Sequence, residues 1–141
     1  MSLNIAQREI IAELKSLEDE FDRFTYLTLM GNKLGLPHDS LRCDAHMVKG
    51  CQSETWVRVS LDHKHCVVFE GYSDSLIVRG LLYLLKVGIE GAAPLSFNLE
   101  VCYAFYEEAG LLSLLTESRR NGLRSILTVI SQEISRAEKT Q

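Results

Sequence analysis

Apolar residues return every three or four positions through the first third of the chain, alternate with polar ones beyond residue 54, and become nearly continuous from residue 76. Each rhythm predicts an element. From Ile5 to Leu17, the residues Ile10, Ile11, Leu14 and Leu17 share one face of a helix, with Glu9, Glu13 and Lys15 toward water. A second helix is predicted from about Leu17 to Leu34, where Phe21, Phe24, Leu27 and Met30 fall three apart and "GNKLGLP" supplies glycine and proline as stop signals. The period then drops to two. Thr55, Val57, Val59 and Leu61 face one way, and Trp56, Arg58 and Ser60 the other, as in a half-buried strand. "DHKH", residues 62 to 65, turns the chain, and "CVVFEGY" returns as an antiparallel partner; the preceding "HMVKG" is a candidate third strand.

"YSDS" offers Ser73 or Asp74 as a helix N-cap. The run "LIVRGLLYLLKVGI" that follows is apolar nearly all round, which predicts a helix from about Asp74 to Ile89 buried against the sheet as the centre of the core. Beyond "EGAAP" a helix is predicted from Phe97 to Ala109, ended by Gly110, and Leu111 to Leu115 reads as a short apolar connection. Leu123, Ile126, Leu127, Ile130 and Ile134 then line a C-terminal helix with Thr116 or Ser118 as its cap. With two prolines, no repeat and no low-complexity stretch, nothing divides the chain, so residues 1–141 are read as one domain. The expected class is α+β, a small antiparallel sheet covered by helices.

Composition narrows the function. At 141 residues, 46% hydrophobic and 24% charged, the chain suits one globular core. A net charge of -4, with its fifteen lysines and arginines scattered, argues against nucleic acid as a partner. No apolar run approaches the ~20 residues of a membrane helix, and the N-terminus lacks the basic and apolar regions of a leader, so a cytoplasmic location without membrane contact is expected. Four cysteines at irregular spacing do not make a disulfide framework. GxGxxG, P-loop, HExxH and CxxC patterns are missing, so no cofactor and no metal site are predicted. Cys43 and Cys51 with His38 and His46 match no common zinc spacing.

The cysteines must therefore be weighed as thiols. Cys66 in "HCVVF" and Cys102 in "EVCYAF" sit in apolar runs, where a reduced cysteine behaves as a small hydrophobe. Cys51, in "MVKGCQSETWV", differs: Gly50 breaks the strand before it, and Gln52 and Ser53 are loop formers. A reactive thiol needs access and groups that stabilise its thiolate, which Lys49, Ser53 and nearby backbone N–H groups supply locally. The competing reading is a small residue filling a turn.

"GCQSETW" closely resembles the "GCQSxVW" signature of the SufE family, sulfur-accepting partners of PLP-dependent cysteine desulfurases. The resemblance continues in order through "FDRFTYLTLMGNKL", similar to the family's second helix, "FEGYSDSLIVRGLL", similar to its strand, G-x-S-D and buried helix, and "LLTESRRNGLRSIL", similar to its "hLTPSRxxGLxxM" segment. It spans about residues 5 to 136. Leu114 stands where family members often carry histidine, and Glu117 where proline is common.

The resemblance implies a SufE/IscU-like fold and a sulfur acceptor that is not itself an enzyme. Cys51 would take persulfide sulfur from a SufS/CsdA-like desulfurase and relay it to an iron-sulfur scaffold or another acceptor. Gly50, Gln52 and Ser53 would shape its loop. Val and Leu side chains of the buried helix, with Trp56, would shelter the loaded sulfur. Arg119 matches the arginine of the "SR" pair; it either supports the thiol or ties down the C-terminal segment through carbonyls and carboxylates. Asp74 is a helix cap or, with Lys49 and Glu54, part of a docking surface. The chain would be a monomer or a homodimer. Two other classes compete. An IscU-type cluster scaffold needs three cysteine ligands, and a cysteine hydrolase would need His63 or His65 as base; one motif cysteine and no local pairing favour neither.

Overall fold

A computed structural model describes residues 3–140, which form five α-helices, three short 3-10 helices and one two-stranded antiparallel sheet. Helix α1 spans Ile5–Lys15 and α2 Glu20–Asn32; strands β1 (Thr55–Leu61) and β2 (Val67–Ser73) follow, then α3 (Leu76–Ile89), α4 (Leu99–Glu108) and α5 (Glu117–Lys139). The class is α+β, as the change of period predicts.

The hairpin pairs Thr55 with Ser73, Val57 with Gly71, Val59 with Phe69 and Leu61 with Val67 on its inner face. That face meets α3 along β2 and α5 along β1, and Val57, Phe69, Leu84, Leu127 and Ile130 are each wholly buried between them. On the outer face, Arg58 forms a two-pronged ion pair with Glu70, at 2.9 and 2.8 Å. The segment from Ser40 to Val48 crosses this face: Arg58 donates to Ser40, Arg42 lies over the Tyr72 ring, and Val48 donates to the Thr55 carbonyl. Met47 makes one isolated bridge with Trp56, so "HMVKG" contributes a bridge rather than a third strand. Trp56 is buried beside it at 6% exposure.

Helix α3 is the centre of the core. Its cap is Ser75, whose Oγ accepts the Val78 N–H, rather than Ser73 or Asp74. Helices α2 and α3 approach backbone to backbone through Gly31 and Gly80; a Cβ at Gly31 would stand 2.7 Å from the Leu76 carbonyl oxygen. This close crossing buries Leu27 but leaves Phe21 71% exposed and Phe24 38% exposed, so the three-residue spacing in α2 does not mark a single buried stripe. The Tyr106 hydroxyl of α4 donates to the Leu81 carbonyl of α3 at 2.7 Å. Thr116 caps α5, accepting from the Arg119 N–H.

Candidate functional site

The loop that carries Cys51 rests on α5. Gly50 has φ +91°, a region that favours glycine, and a Cβ there would also come within 2.8 Å of Ser125 Oγ. Both constraints fix glycine before the thiol. The chain then lays Cys51 against Gly122, whose carbonyl accepts from Sγ at 3.5 Å. A Cβ at Gly122 would lie in ordinary van der Waals contact with Sγ, at 3.5 Å.

Around Sγ lies a crevice of about 10 Å³ walled by Val78 and Leu81 of α3 and by Leu123 and Ile126 of α5. Gln52, Ser53 and Arg119 form its rim. Such a volume admits about one water-sized atom. Trp56, expected in this wall, belongs to the opposite face of the sheet and takes no part; the alternation of β1 sends Thr55 toward the site instead.

Burial pushes the Cys51 thiol above its ordinary pKa of 9.0, and a hydrogen bond from the Thr55 side chain opposes that rise. Burial in the crevice thus favours the neutral thiol over the thiolate. Arg119 Nη1 donates to Ser75 Oγ at 3.0 Å and so joins the start of α5 to the start of α3, on the rim of the crevice. The partner is a hydroxyl, not one of the carbonyls or carboxylates expected of a purely tying role. Asp74 is exposed and caps no helix; its backbone N–H donates to the Glu54 carbonyl at 3.0 Å. Lys49, Gln52 and Glu54 are exposed around the thiol, and Ser53 is half-buried.

The other cysteines separate clearly. Cys102 is 2% exposed in α4, and burial pushes its pKa up to about 11. Cys66 is not a packing residue: β2 begins one position later, and Cys66 lies half-buried in the hairpin turn, its N–H bonded to Asp62 Oδ1 at 2.9 Å and its Sγ 3.7 Å from the Lys64 carbonyl oxygen. Cys43 is exposed. Among the described residues no three His, Cys, Asp or Glu side chains cluster as metal ligands, and no helix is long and apolar enough to cross a membrane.

The pattern of residues missed Thr55, Ser73 and Gly122. The first two are polar side chains on the inward face of the hairpin, a signal visible in the alternation once the strand is placed.

Fold and site together define a small α+β domain in which one loop thiol, Cys51, is held between the N-terminal turns of two helices. The chain belongs to the SufE family: residues 8–134 match the domain described as SufE, Fe-S metabolism associated. It is 27% identical over 135 residues to "Cysteine desulfuration protein SufE" of Wigglesworthia glossinidia brevipalpis, covering 94% of this chain and 92% of that protein. It is 29% identical over 109 residues to "Sulfur acceptor protein CsdE" of Escherichia coli, covering 77% and 74%. With "SufE-like protein 1, chloroplastic/mitochondrial" of Arabidopsis thaliana it shares 30% identity over 126 residues, 89% of this chain and about a third (34%) of that longer protein. A solution structure of a hypothetical protein from Thermus thermophilus superposes with a TM-score of 0.79 at 23% identity, covering 98% of this chain and 99% of that one, which speaks to the fold.

Proposed function

We propose that this protein accepts sulfur on Cys51 from a PLP-dependent cysteine desulfurase and carries it as a persulfide to iron-sulfur cluster assembly. The observation that carries this reading is the seat of Cys51: a loop thiol backed by an apolar crevice with room for about one further atom. The names of the bacterial relatives, a cysteine desulfuration protein and a sulfur acceptor, support the same chemistry.

The transfer follows from thiol exchange. The Cys51 thiolate attacks the outer sulfur of a persulfide on the desulfurase; a new S–S bond forms to Cys51, the old S–S bond breaks, and its electron pair returns to the desulfurase cysteine. No net oxidation occurs. Because burial disfavours the thiolate in the crevice, attack is made with the loop lifted from between α3 and α5, which ties reaction to docking. After transfer the extra sulfur returns to the crevice beside Val78 and Leu123, away from water and stray thiols. Lys49, Gln52, Glu54 and Asp74 form the exposed polar ring that meets the desulfurase, with Gly50 as the pivot. The setting is the cytoplasm.

Desulfurase turnover with L-cysteine tests the reading. Addition of the protein should raise turnover, and Cys51→Ser should abolish the increase while keeping the native circular dichroism spectrum. A Cys51→Ser protein that stimulates as well as the parent refutes it.

A further inference from the structure

Nine arginines are spread along the chain, and seven of them donate to a carboxylate, a carbonyl or a hydroxyl, as Arg58 does to Glu70 and Arg119 to Ser75. Arg42 and Arg79 do not. Their guanidinium carbons stand 6.0 and 5.2 Å from the centroid of one ring, that of Tyr72, and among the described residues neither guanidinium has a hydrogen-bond or ion-pair partner. Arg42 is exposed and Arg79 half-buried, and the Nε of Arg79 is shut away from solvent with nothing to receive its proton. The acids at hand leave the pair unmatched: Glu70 is held by both prongs of Arg58, and Asp74, two residues past Tyr72, bonds to neither arginine. A buried donor without an acceptor is costly, and two cations beside one ring repel. An incoming carboxylate relieves both.

Position says which partner brings it. Arg42 lies on the segment that crosses the outer face of the sheet and leads into the thiol loop; Met47 bridges Trp56 and Val48 donates to the Thr55 carbonyl, so this segment is fixed to the strand that follows the loop. Tyr72 is paired with Trp56, and Arg79 follows Val78 of the crevice wall in the first turns of α3. The pair therefore borders the exposed Glu54 and Asp74, whose backbones are joined by a hydrogen bond, at the end of the sheet where Cys51 is presented.

We propose that Arg42, Tyr72 and Arg79 form a docking site for a carboxylate-bearing surface of the desulfurase that charges Cys51. This inference rests on the desulfurase being the partner. A guanidinium laid beside an aromatic ring is pre-oriented and offers parallel N–H donors that match a carboxylate. In a chain of net charge -4, such a basic spot also gives the encounter a direction, drawing an acidic face toward this end of the sheet. The pair acts on association and not on the sulfur, since neither arginine lines the crevice.

The test is direct binding of the purified SufS/CsdA-like desulfurase, without L-cysteine, at low salt. Arg42→Gln combined with Arg79→Gln should raise Kd by about tenfold, the size of one lost hydrogen bond to a charged group. It should also flatten the rise of Kd with added salt that the parent shows. Lys139→Gln, at the far end of α5 and about 25 Å along the helix from Gly122, should bind like the parent. Should the double variant fail to fold, Arg42→Gln alone, on an exposed side chain, asks the same question. A double variant that binds the desulfurase as tightly as the parent overturns the proposal, whether or not it loses affinity for inorganic phosphate or a dimer on size exclusion. So does a Lys139→Gln protein that binds as weakly as the double variant, because net charge alone would then be at work. Binding is read without chemistry. A protein that docks through this pair and takes up no sulfur would therefore refute the proposed function and leave the docking site standing.

Discussion

Four cysteines in one small chain meet four different environments, and the physics of burial sorts them. Cys51 was legible because a glycine precedes it and polar loop formers follow, a combination that no packed cysteine requires. Cys66 was not: "HCVVF" looks continuous, yet His65 takes φ +64° and Asp62 Oδ1 gathers the N–H groups of Lys64 and Cys66, so the turn consumes the residue that the apolar run seems to claim. Two opposite outcomes follow. Cys102→Ser places a hydroxyl in the core of α4 and should cost about 1–3 kcal/mol in urea denaturation. Cys66→Ser should change stability by no more than about 0.5 kcal/mol, as surface substitutions do. Equal losses in the two variants would contradict this assignment.

At the scale of elements, period placed α1, α2, α5 and the hairpin, while α3 was read from a run apolar nearly all round and α4 from the stop signals that flank it. What period could not convey was how closely elements approach. Helix α2 presents apolar residues three apart, but its contact with α3 is made by Leu27 and by Gly31 against Gly80, and the phenylalanines fall outside it. The cap of α3 was misplaced for a related reason: Ser73 spends its hydroxyl on the Glu54 carbonyl, leaving Ser75 to receive the helix N–H. Gly31→Ala should therefore force two backbones apart and lower stability by about 1–3 kcal/mol. Phe21→Ala, on the same helix, should leave the urea midpoint close to the parent's. A tolerated Gly31→Ala would show that the helices are not held at this separation.

For the whole molecule, the site is a product of long-range assembly. Cys51 meets the Gly122 carbonyl across 71 positions of sequence, and Arg119 meets Ser75 across 44. No local pattern contains those pairings, which is why the thiol could be picked from the sequence while the walls of its crevice were partly misassigned to Trp56. Helices α3 and α5 pack on the sheet, and the short loop between Gly50 and Glu54 is laid over their N-terminal turns. On the proposed function, this chain need supply only a thiol and its shelter, while the partner desulfurase would supply the PLP chemistry. Intact mass after incubation with a cysteine desulfurase and L-cysteine tests that claim most directly. The account predicts a gain of one sulfur atom per chain, removed by a thiol reductant and lost in Cys51→Ser; no gain in the parent, or an equal gain in Cys51→Ser, would contradict it.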